Sequence, residues 1–174
     1  LMSLSLNVTE ALWFLPLVLP ICVWVALSDL REMRIPNTSV LALTGVFLVI
    51  GLVLVFGLGV WTIETYLWRL AALGIVLVIG FVITSLGLVG AGDAKFAAAM
   101  APFVAPGDGV FFLLLFALVL IASWLMHRIA GRVPAVRRAT ADWTSWDKGK
   151  LFPMGVALAG ALAIYLALGI SAGV

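Results

Sequence analysis

The chain has 174 residues, of which 65% are hydrophobic and only 10% charged, and its mean hydropathy is +1.28. That composition excludes a water-soluble globular domain and points to an integral membrane protein, all-α and polytopic. The formal charge is +2, and no nucleic-acid partner is expected. A single cysteine, Cys22, excludes an intramolecular disulfide and a Cys-x-x-Cys zinc site.

A bilayer-crossing helix needs about 20 mainly apolar residues, and the chain offers such runs at 12–28, 40–61, 70–89, 110–127 and 151–170, with a shorter one at 94–106. The first run lacks a basic segment before it and is followed by Arg31 and Arg34 rather than by a small-residue cleavage site, so it reads as a true span. Arg31 and Arg34 follow the first run, Lys95 follows the third, and six further cations from Arg128 to Lys150 precede the last; only Arg69 lies elsewhere. By the positive-inside rule these cations mark cytoplasmic segments. The bias is consistent only if 94–106 also crosses, which predicts six helices in one membrane-embedded domain, 1–174, with both termini outside. At about 1.5 Å per residue that fourth helix is too short for an ordinary bilayer, so it must recruit neighbouring residues or thin the membrane locally.

Between the spans, the Trp61–Trp68 stretch carries three aromatics suited to an interfacial belt. Pro106-Gly107-Asp108-Gly109 reads as a tight turn with Asp108 in solvent. His127 reads as an interfacial polar residue, and the basic loop 128–150, with Asp142, Asp147, Trp143 and Trp146, as a segment lying along anionic headgroups. Gly155, Gly160 and the alanines between them give the last helix a small-residue face for close packing.

Two acids stand out. Asp93 follows the third run in Gly90-Ala91-Gly92-Asp93, and Asp29 ends the first. An ionisable group at the edge of a hydrocarbon layer is costly and commonly functional. One crossing and three crossings end on the same side, so both acids reach the cytoplasmic boundary. Glu10, Glu64 and Asp108 fall on the other side, Glu32 lies in the turn, and Asp142 and Asp147 belong to the polar loop. Two carboxylates in a poorly solvated site share a proton and titrate as a pair. Such a pair can activate a water with its ionised member while the protonated member polarises a carbonyl. The same two acids also suit a divalent cation beside a phosphate substrate or a proton relay in a carrier, although no histidine or third acid stands at ligand spacing. Pro36 stiffens the turn after Asp29, and Asn37 is placed to cap the next helix. Lys95, two residues from Asp93, points away from it on a helix and reads first as a headgroup anchor.

Taken together, Asp29 with Arg34-Ile35-Pro36-Asn37, then Gly90-Ala91-Gly92-Asp93-Ala94-Lys95, then Phe152-Pro153-Met154-Gly155 resemble, in order and spacing, the type IV prepilin peptidases. The likeness is closest to the short members that serve tight-adherence (Flp-type) pili. The resemblance implies a six-helix aspartic endopeptidase of the bacterial inner membrane. Its substrate would be a prepilin or pseudopilin, cut after a glycine at the cytoplasmic face. Asp29 and Asp93 would be the catalytic pair, with no metal and no cofactor. Gly90 and Gly92 would let an extended substrate lie against the backbone, and Pro153 and Gly155 would pack the last helix beside the site, with Pro36, Asn37 and Lys95 shaping it. Larger relatives add a cysteine-rich domain and methylate the new terminus; no such activity is expected here. Met154 stands where relatives often carry an aromatic residue. Two other readings of the acids remain, a proton-coupled transporter and a non-catalytic assembly factor.

Overall fold

The structure is a computed structural model that describes residues 4–147 and 151–171; Lys148 and Lys150 of the basic loop lie outside the described residues. Seven α-helices follow one another, α1 Val8–Glu32, α2 Asn37–Leu52, α3 Ile63–Ser85, α4 Ala91–Met100, α5 Gly109–Ala130, α6 Pro134–Ala139 and α7 Met154–Ser171, with no strand among the described residues. α2 runs on into a π-helical turn, Val53–Gly57. Five of these segments are long and apolar enough to cross a bilayer, Val8–Glu32, Asn37–Gly57, Ile63–Ser85, Pro106–Ala130 and Met154–Ser171. α4, with 10 residues, is not.

Local chemistry sets the ends. The Asn7 carboxamide accepts the Thr9 N–H at 2.8 Å, and the Thr62 hydroxyl accepts the Thr65 N–H at 3.1 Å, so α1 and α3 each begin at a side-chain cap. α3 therefore starts ahead of the apolar run that marks it, taking in Tyr66, which is buried, and Trp68, which is exposed. α1 stops at Met33, which adopts a left-handed conformation (φ 53°) and returns its N–H to the Asp29 carbonyl. Asn37 is not the cap of α2 but its first residue: Pro36 occupies the cap position and has no side-chain acceptor to offer, and the Asn37 carboxamide accepts from Lys95.

α7 is the centre of the bundle. It packs against α1, α4 and α5, and Ala157, Ala159 and Ala161 on it are almost wholly buried, since only small side chains let backbones approach this closely. α3 and α5 instead turn large apolar residues such as Ile75, Phe81, Leu114 and Ile121 outward, as helices facing lipid must. Beside α7, Phe103 meets Phe14 edge-on at 4.9 Å between centroids and Phe47 at 5.6 Å, joining α1, α2 and the turn after α4 in one aromatic cluster.

One end of the bundle holds a buried polar network. Arg69 bonds Glu10 at 2.7 Å, and the Trp61 indole N–H donates to the other Glu10 oxygen at 2.6 Å. Trp61 is thus a buried anchor rather than an interfacial belt residue. Asp108 is likewise not in solvent: it is 3% exposed and accepts the Ser5 and Leu6 N–H groups at 2.7 and 3.0 Å and the Tyr165 hydroxyl at 2.7 Å. A buried carboxylate must find such donors. The Tyr165 oxygen also accepts the Ala105 N–H at 3.0 Å. Tyr165→Phe is expected to cost about 1–3 kcal/mol by orphaning the Ala105 N–H and removing one of the three donors to Asp108, measurable as a lower unfolding temperature in detergent. Because Asp93 shares a pocket with the end of α1 while Asp108 is bonded to its beginning, the stretch from α4 through the 3-10 turns Ala101–Phe103 and Pro106–Asp108 runs the length of the bundle.

Candidate active site

The opposite end gathers the last turn of α1, the Met33–Pro36 turn, the start of α2 and the start of α4 around a polar pocket of about 550 Å³. Asp29 and Asp93 both line it, with Glu32, Arg34, Asn37 and Lys95 around them. A larger groove of about 670 Å³ between α1, α5 and α7 is lined by apolar side chains such as Leu19, Val119 and Ile164, with no carboxylate among the described residues that line it.

Asp29 sits in the last turn of α1 and is 5% exposed. Its Oδ2 accepts the Gly155 backbone N–H at 2.7 Å, so the first turn of α7 holds the carboxyl from below. A Cβ on Gly155 would stand 2.9 Å from that same oxygen and 3.1 Å from both Asp29 Cβ and Ile35 Cδ1. Any side chain there would displace Asp29 or Ile35, so the role of this glycine is to admit them rather than to adopt an unusual dihedral.

Asp93 lies in the first turn of α4, outside the five long spans. It is half-buried, and burial holds its carboxyl above the ordinary aspartate range. A Cβ at Gly90 would fall 2.7 Å from Asp93 Oδ2, which shows the carboxyl folded back over the start of its own helix. A Cβ at Gly92 would meet Ile35 Cβ at 3.4 Å, so this glycine brings α4 against the turn that follows α1. Ile35, 8% exposed, is thereby wedged between the glycines serving the two acids. Lys95 Nζ donates to Asn37 Oδ1 at 3.3 Å, bridging α4 to α2. The Ser28 hydroxyl donates to the Arg34 carbonyl at 2.9 Å and closes the turn.

Of the residues singled out in the sequence, Asp29, Pro36, Asn37, Gly90, Gly92, Asp93 and Lys95 line the pocket. Gly155 reaches it through Asp29, and Pro153 is buried at the start of α7 without lining it. Ile35 carries no role of its own in the sequence reading; an apolar β-branched residue between Arg34 and Pro36 is the signal that marks it. Glu32, which the sequence leaves in the turn, lines the pocket beside the pair.

Fold and site together define a polytopic helical membrane protein with two aspartates facing one polar pocket. The chain belongs to the type IV leader peptidase family, whose sequence profile matches residues 16–126. The match takes in Asp29 and Asp93 and stops short of Gly155, and it makes the chain a membrane protease of the leader-peptidase type. No curated protein and no solved structure matches the chain.

Proposed function

We propose that the chain is an aspartic endopeptidase of the bacterial inner membrane that removes the leader of a Flp-type prepilin or pseudopilin, cutting after a glycine at the cytoplasmic face. The observation that carries this reading is that Asp29 and Asp93, from helices distant in sequence, face one polar pocket at one end of an apolar bundle. A water held between them gives a proton to the ionised carboxylate as its oxygen adds to the peptide carbonyl, and the protonated partner donates to the carbonyl oxygen. The tetrahedral intermediate then collapses, the C–N bond breaks, and the proton taken from water passes to the leaving amine. Neither metal nor cofactor enters this scheme. Lys95 and Asn37, tied to each other across the pocket rim, and Pro36 beside them fix the walls against which an extended leader lies, while Gly90 and Gly92 keep those walls free of side chains. Pro153 starts the helix whose Gly155 amide holds Asp29. The basic loop and the outward apolar faces of α3 and α5 contact membrane lipid.

The test is to co-express a leader-bearing prepilin with the wild type and with Asp29→Ala/Asp93→Ala, and to weigh the product by mass spectrometry. Wild type is expected to release the leader and the double variant to leave it in place. Complete processing by the double variant would rule the reading out.

A further inference from the structure

The two aspartates are not equivalent. Asp29 lies at the C-terminal end of a 25-residue helix, where the carbonyl end of the helix dipole disfavours a negative charge. It is also the more deeply buried of the two. Asp93 lies at the opposite kind of end: the first turn of α4, whose N-cap, Gly90, supplies no side-chain acceptor to its orphan N–H groups. Its carboxyl folds back over that N-terminus, where the dipole favours a negative charge.

Among the described residues, the other charged groups at the pocket carry both signs. Glu32 and Arg34 on the α1 side and Lys95 on α4 all line the shared pocket. α2 contributes only the neutral Asn37 there, and α7 only the Gly155 amide. A neutral carboxyl still accepts that amide: with Oδ2 occupied at 2.7 Å, the proton is left to Oδ1.

Resting on the peptidase reading above, we infer that the shared proton resides on Asp29, which donates it to the scissile carbonyl, and that Asp93 is the base that takes the proton of the attacking water. Gly155 is then a positioning residue, because its amide selects which oxygen of Asp29 is the acceptor and which carries the proton. In the forward step water loses a proton to Asp93 and its oxygen bonds the carbonyl carbon, while the Asp29 proton moves to the carbonyl oxygen. On collapse Asp29 recovers its proton from the intermediate and Asp93 delivers its own to the departing nitrogen.

The two isosteric amides separate these roles. Asparagine at 29 keeps an acceptor for Gly155 and a donor toward the carbonyl, whereas asparagine at 93 cannot take a proton. With purified protein in detergent and a leader-bearing prepilin, Asp29→Asn is expected to lose about 100- to 10,000-fold, the typical range for a positioned general acid. It should stay above the Asp29→Ala/Asp93→Ala background, and its rate should rise with pH to a plateau, without the alkaline fall expected of wild type. Asp93→Asn is expected to sit at background across the same pH range. Residual cleavage by Asp93→Asn with none by Asp29→Asn, equal loss in both, or an alkaline fall retained in Asp29→Asn would each overturn the assignment while leaving the peptidase reading intact. Undiminished cleavage by both would instead remove the peptidase reading itself.

Discussion

Gly155→Ala is expected to lower leader cleavage about 100-fold, the penalty for displacing a reacting group by about 1 Å, while helix content stays at the wild-type level. The added carbon would stand 2.9 Å from Asp29 Oδ2 and 3.1 Å from Ile35 Cδ1. Asp29 is buried among neighbours that leave it little room, so its carboxyl must swing away from the amide. The loss should appear in kcat rather than KM, because the leader still meets the same pocket walls. Gly45→Ala serves as the control, since a Cβ there meets nothing within 4 Å, and alanine is the better helix former; wild-type cleavage is expected from it. Equal activity of Gly155→Ala and Gly45→Ala would show that the Asp29 contact has no part in the reaction.

Arg69→Leu is expected to destabilise the protein by about 3–5 kcal/mol, the usual result of removing one partner from a buried ion pair. Glu10 would be left charged in a site where both side chains are nearly inaccessible, 3% for Arg69 and 7% for Glu10. The Trp61 indole would keep its bond to Glu10 but lose the guanidinium 4.4 Å from its ring centroid. Replacing both members, as Glu10→Met/Arg69→Leu, is expected to recover most of that loss, since an apolar pair of similar size has no desolvation to overcome. Thermal unfolding in one detergent compares the three proteins. A double variant no more stable than Arg69→Leu would show that the network holds the bundle through something other than this pair.

What the sequence made legible follows from how each feature is encoded. A span is written in contiguous residues, so the five long apolar runs were visible, although their ends moved: Thr62 starts α3 ahead of its run, while α2 with its π-helical turn stops at Gly57, α3 at Ser85, and α7 begins only at Met154. The pair of acids was visible because charges are rare in so apolar a chain and the crossings could be counted. Partners chosen by packing were not visible. Asp108 looked like a turn residue because its donors are Ser5, Leu6 and Tyr165, all remote along the chain. Asn37 looked like a cap until Lys95 proved to engage it. The Gly155 amide could not be linked to Asp29 from the sequence, because a backbone group leaves no mark of its target 126 positions away.

That separation also orders events during synthesis. Both aspartates leave the ribosome well before α7, so a nascent chain can carry the complete pair while the amide that holds Asp29 has yet to be translated. Helices enter the membrane from the N-terminal side first, which leaves the half-made protein unable to orient its acid. On the proposed mechanism, competence then arrives late, with insertion of α7.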